Sequence, residues 1–357
     1  MLVVSKKSLI KVLKQVFSIS RTTALEAIQE PVAFLIMLTA VLTTVLAPLF
    51  HFNRFGEDGR LARDGGLSSM LLFGLILAAG TAGRAVAGEI ESGTAAAIIG
   101  KPVSRTTFVL AKALGVFQVV LVFWCGQLAA ILISERVSSH FVTTYDFAGD
   151  VTDSTTLILS VAALLLVLLI SGLVHFVRRQ RFGVVACMGV AISQIAVVLI
   201  SGFYSRMGQF FFVSGQTGCG CNDATHHVAE RVIYNPELNL RVIPAAILIL
   251  FVLAVFVSLA TALATRLQSG SATVVCVLVM MFGLAGDALA VNSGVFSIRG
   301  ILAGIMPDIQ HFWMCDALAH GGRISTAYLL QSGLYAFTCC TLFLTVGCMA
   351  FKNRDLG

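Results

Sequence analysis

"VIPAAILILFVLAVFVSLATALA", residues 242–264, runs for 23 positions without a charged side chain, between Arg241 and Arg266. A helix of that length rises about 35 Å, enough to cross a hydrocarbon core about 30 Å thick. Apolar on every side, it has no face to offer to water. The stretch therefore reads as a membrane span.

Seven more apolar runs lie on either side, charge-free except for Arg84 and Asp287: Val32–Phe50, Leu67–Ala87, Ala113–Ile133, Thr155–Val177, Phe182–Phe203, Ser271–Val291 and Thr326–Phe351. Composition agrees: 57% of the 357 residues are hydrophobic and 12% charged, and mean hydropathy is +0.92. Soluble domains carry about 25% charged residues, so this chain lacks the polarity to coat a water-facing surface. The fold class is an all-α polytopic membrane bundle of about eight spans, or six if two of the runs are re-entrant. The basic N-terminal region is not followed at once by a short apolar core, so it does not read as a secretory signal. Residues 1–31 read as a separate interfacial segment, and 32–357 as the transmembrane domain.

Charge sets the orientation. With the N-terminus in the cytoplasm and the spans alternating, the cytoplasmic pieces hold 15 of the 24 Lys and Arg but 5 of the 18 Asp and Glu. The positive-inside rule favours that sidedness, and an even span count returns the C-terminus to the cytoplasm. In the N-terminal segment Lys7, Lys11, Lys14 and Arg21 share one helical face, and Leu9, Val12, Leu13, Val16 and Phe17 another. This is a basic amphipathic helix suited to the headgroup layer of anionic lipid. The long polar insertions, 204–241 and 292–325, lie outside, and each is near or below the ~40 residues under which a domain rarely folds without staples. Neither leaves room for a nucleotide-hydrolysing domain.

Between the second and third spans lies "GEIESGTAAAIIGKPVSRTTFVLAK", residues 88–112. It is not a phosphate loop: six residues separate Gly93 from Gly100 where four are needed, and Pro102 follows Lys101 where Ser or Thr should stand. Mechanically it reads as an elbow. Glu89 and Glu91 end one span, Gly93 and Thr94 break it, and Thr94 caps a short helix, Ala95–Ile99. Gly100 and Pro102 turn the chain, and Ser104 caps the helix carrying Arg105 and Lys112 into the next span, with charge exposed to the cytoplasm.

The ordered set Glu89, Glu91, Gly93, Thr94, Pro102, Val103, Ser104, Arg105, Phe108 and Lys112 resembles the coupling elbow in permease subunits of type-2 export ABC transporters. The N-terminal amphipathic helix and the charged tail resemble the family more loosely. The resemblance implies a non-enzymatic permease in a bacterial inner membrane, docked through this elbow on a separate ATP-binding subunit. ATP and Mg would be bound by that partner, with no cofactor in this chain. It also implies a second permease copy or paralogue, and membrane lipid as a further partner; nucleic acid is not expected. The alternative is a secondary transporter or channel driven by an ion gradient.

Weaker signals remain. Cys219, Cys221, His226 and His227 share one outside segment, with His311 and Cys315 in the other. A disulfide, a metal site and free thiols all fit this set, and the Cys-x-Cys spacing alone is a poor zinc signature. Six cysteines in apolar runs read as packing residues. Asp287 reads as an interfacial acid or an intramembrane ion site. Arg84 is expected to snorkel to headgroups, and Trp313 and Phe210–Phe212 to anchor the outside segments in the interface. No triad, His-Glu-x-x-His or paired intramembrane acids support chemistry on a substrate.

Overall fold

A computed structural model describes residues 6–50, 58–94, 104–138, 140–144, 147–179, 181–204, 212–213, 231–232, 238–285, 307–314, 317 and 322–352. The chain is an all-α polytopic bundle. Its main helices are α1 (Lys6–Gln29), α2 (Pro31–Leu46), α3 (Asp58–Gly83), α4 (Arg105–Val137), α5 (Ser154–Arg178), α6 (Phe182–Ser201), α7 (Val242–Ala264), α8 (Ser269–Leu284) and α9 (Thr326–Lys352). Among the described residues seven helices are long and apolar enough to cross a membrane, namely α2 to α7 and α9 with their short extensions. The eighth predicted run falls partly on α8, which has 16 residues. Two short antiparallel strand pairs accompany the helices: β1 (His140–Thr144) with β2 (Phe147–Val151), and β3 (Phe212–Val213) with β4 (Arg231–Val232).

The 33-residue α4 is the central post, packed by α1, α2, α3, α6 and α7. Helix α5 lies outside α6, α9 lies outside α7, and α8 lies beside α3. Of the span residues in α5 and α9, 17% are buried, against 67% in α3 and α7, so α5 and α9 form the lipid-facing flanks. Where helices come closest, glycine makes room. A Cβ on Gly115 of α4 would stand 2.7 Å from the Ser20 carbonyl oxygen, and one on Gly183 of α6 would stand 2.7 Å from that of Gln29. These contacts seat α1 across the ends of α4 and α6.

Several polar side chains inside the bundle pair with one another, as apolar surroundings favour. Gln127 of α4 donates to Thr44 Oγ1 of α2 (2.6 Å) and to Ser69 Oγ of α3 (2.8 Å). Ser160 of α5 donates to Gln194 of α6 at 2.8 Å.

One end of the bundle gathers Glu30, Gly83–Glu91, Ser104–Lys112, Phe182, Arg266 and Ala350–Lys352 through mutual contacts. This is the end that the charge count assigns to the cytoplasm. Helix α1 lies there with Ser20, Thr23, Ala24 and Ala27 buried against the bundle. Val12, Leu13 and Phe17, further along the same apolar face, are exposed. Over Val12–Phe17 much of the apolar face of α1 is thus uncovered by the described residues.

Candidate functional site

The elbow is built outward from the end of α3. Helical hydrogen bonding widens into a π-turn over Arg84–Gly88, and the helix closes at Glu89–Glu91. Such turns recur at functional sites. Gly93 then takes φ +74°, and the Ser92 and Gly93 amides donate to the carbonyls of Gly88 (3.0 Å) and Ile90 (3.2 Å). A left-handed residue at a helix C-terminus suits glycine, so the predicted break stands where the sequence placed it. Thr94 hydrogen-bonds backward, its hydroxyl donating to Glu89 O at 3.2 Å. The predicted short helix over 95–99 and the turn at Gly100, Pro102 and Val103 lie outside the described residues.

The second arm begins as expected. Ser104 is the N-cap of α4, its Oγ accepting the Thr107 amide at 3.1 Å. One charge departs from the sequence reading. Lys112 does not face the cytoplasm: it is buried, with Nζ 2.5 Å from Glu89 Oε1 and 5.6 Å from the Phe108 ring centre. Its position on the inward face of α4, between aromatic and apolar neighbours, leaves Glu89 as its counter-ion. The pair spans the elbow and ties its two arms together. Glu91 remains exposed.

Arg105 reaches the other way. Its guanidinium donates to the carbonyls of Lys352 (2.8 Å) and Phe351 (3.4 Å) at the end of α9. Arg266, just beyond α7, donates to Ala350 O at 2.6 Å. The last carbonyls of a helix have no partner within it, and cations are favoured there. Two arginines from separate elements thus hold one helix end, while Phe108 stacks on Phe351 with centroids 5.6 Å apart. Arg84, about a third exposed at this end of the bundle, pairs with Glu30 at the start of α2. Burial pushes the Glu30 carboxyl above its ordinary 4.5, against the opposing pull of Arg84.

A second charged cluster, at the opposite end of the bundle, was not read from the sequence. Arg136 of α4 and Asp153, the N-cap of α5, form an ion pair at 2.8 Å with both side chains fully buried. Arg136 also donates to Tyr204 O (2.7 Å) and lies over the Tyr204 ring. Asp153 accepts from the hydroxyls of Thr155 (2.7 Å) and Thr156 (2.5 Å) and from the Thr156 amide (2.9 Å). Burial pushes this carboxyl up, but bonds from Arg136, Thr155 and Thr156 outweigh it and hold it below its ordinary value. Beside this pair, Glu135 accepts from Asn239 (2.8 Å) and pairs with Arg63 (3.6 Å). The run Asp-Ser-Thr-Thr before an apolar stretch was a legible cap signal; its arginine partner was not.

The candidate metal or disulfide residues Cys219, Cys221, Cys315, His226 and His227, together with Asp287, lie outside the described residues. Among the described residues no cluster of His, Cys, Asp or Glu could hold a metal. His311 belongs to an aromatic cluster, its carbonyl accepting from Tyr328 Oη at 2.5 Å. Trp313 is half-buried against the core and lines a cavity, where the sequence placed it as an interfacial anchor.

The fold and its charge-tied ends define an integral membrane helical bundle. No protein-family model matches this chain, and no curated protein matches it either.

Proposed function

We propose that this chain is the membrane-embedded permease subunit of an ATP-driven export system of the type-2 ABC class. It couples to a separate ATP-binding subunit through the elbow of residues 88–112. The observation that carries the reading is the bracing of both arms. Glu89 and Lys112 join them across the bend, and Arg105 and Arg266 tie the second arm and the α7–α8 turn to the end of α9. A push on the bend is then delivered to α3, α4 and α9 together, as a lever requires. The exposed Glu91 and the stretch 95–103 are the docking surface, while buried Lys112 transmits force and contacts no partner. Helix α1 lies in the headgroup layer of the inner membrane beside it. ATP and Mg bind in the partner, and a second permease copy or paralogue completes the transport path.

The test is co-purification from membranes. An ATP-hydrolysing subunit should accompany the wild-type chain and be lost in Pro102→Ala with Arg105→Glu. Survival of the complex in that variant, while the chain stays folded, defeats the elbow as the dock. Transport that proceeds without ATP and disappears in Asp287→Asn establishes a gradient-driven carrier instead.

A further inference from the structure

A cavity of about 640 Å³ opens between the outer parts of α3 and α8 and is closed on a third side by the 307–313 segment. Its volume falls within the roughly 300–1,000 Å³ typical of small-molecule sites. Its depth follows from helix geometry. Ser68, on its wall, lies about 30 Å along the helix from Glu89 at 1.5 Å per residue, one hydrocarbon thickness from the cytoplasmic charges. The cavity therefore sits at the outer edge of the apolar layer.

The wall divides by chemistry. Ser68, Gln310 and Trp313 supply polar groups at the outer level beside the apolar Leu284, while Leu71, Leu72 and Met280, about one turn deeper on α3 and α8, are all apolar. Gln310 is held in place by its amide nitrogen, which donates to Leu284 O at the end of α8 (2.6 Å). Its side-chain oxygen and the Trp313 indole N–H have no protein partner among the described residues. Ser68 donates to Asp64 O (2.7 Å) and keeps its lone pairs for an incoming donor. Among the described residues that line the cavity none is charged, so a charged head would be desolvated there without a counter-ion from them.

We infer that this cavity is a binding site for a compact, uncharged amphiphile. Its hydrogen-bonding head lies among Ser68, Gln310 and Trp313, and its apolar chain passes between Leu72 and Met280. The site does not depend on what drives transport, and it can be tested without any ATPase.

The experiment uses the purified chain in phosphatidylcholine nanodiscs with a monoacylglycerol carrying a photoreactive diazirine in its acyl chain. Adducts mapped by mass spectrometry should concentrate on α3 and α8 around Leu72 and Met280. Unlabelled monoacylglycerol should displace the probe, and the fatty acid of equal chain length should not. Ser68→Ala should weaken labelling about three- to tenfold, as loss of one hydrogen bond implies, and Leu72→Trp should abolish it by filling the space. Because Gln310 also finishes α8, these two variants carry the test if Gln310→Leu misfolds. Adducts spread over the lipid-facing α5 and α9 without enrichment, or equal competition by the fatty acid, overturn the inference.

Discussion

Arg136 and Asp153 are fully buried, so each depends on the other. Removing one partner of a buried pair leaves an uncompensated charge and costs about 3–5 kcal/mol, whereas replacing both with apolar residues is often neutral. Asp153→Asn should therefore lower thermal stability strongly, and the Arg136→Met, Asp153→Leu double variant should recover much of the loss. The pH dependence has a definite sign. The folded-state carboxyl lies below its ordinary 3.8, so its contribution is complete above that pH and fades as pH falls through the lowered value. The gap between wild type and Asp153→Asn should stay constant from pH 7 to about 4 and shrink below that; a gap already closing at pH 6 contradicts the assignment. At this scale local signals were legible and distant pairings were not. Ser104 caps α4 and Gly93 ends its helix because neighbours a few residues away decide both. Arg136 meets Asp153 across a hairpin, and Lys112 meets Glu89 across the elbow; no spacing rule reaches either pair.

Helices rather than residues decide how the elbow acts. Helix α9 packs mainly on α7, yet its end is held by arginines from the start of α4 and the turn after α7. A hydrogen bond to a charged group contributes about 1.5–3 kcal/mol, so Arg105→Gln or Arg266→Gln should raise hydrogen exchange at 348–352 tenfold or more. Unchanged exchange in both would mean that the grip is idle. The existence of these helices was plain from the apolar runs, but their lengths were not. The run Ala113–Ile133 became α4, Arg105–Val137, because the helix continues past the apolar run at both ends, where Ser104, Lys112, Glu135 and Arg136 find partners. Hydropathy marks where lipid is, not where a helix stops.

Across the whole molecule, the short α8 is the element that lipid alone cannot support. Sixteen residues rise about 24 Å, short of a hydrocarbon core about 30 Å thick. The last carbonyls of a helix have no partner within it, and at the edge of the apolar layer protein can cover them. The cover is the 307–313 segment. Gln310 donates to Leu284 O, and a Cβ on Gly283 would lie 2.7 Å from Ile309 Cδ1 and 2.8 Å from Pro307 O, so the two elements meet at van der Waals range. That segment is fixed in turn to α9, where Tyr335 Oη accepts the Asp308 amide at 3.0 Å. The outer end of α8 is thus tied to α9, whose other end is gripped at the cytoplasmic face beside the elbow. Gly283→Leu should push the cover away and expose the end of α8. The expected signature is lower thermal stability with faster hydrogen exchange confined to 281–285 and 307–313, while the Arg136–Asp153 end stays protected. Exchange rising evenly over the bundle would show instead that α8 is integral to the common core and not a separately covered helix.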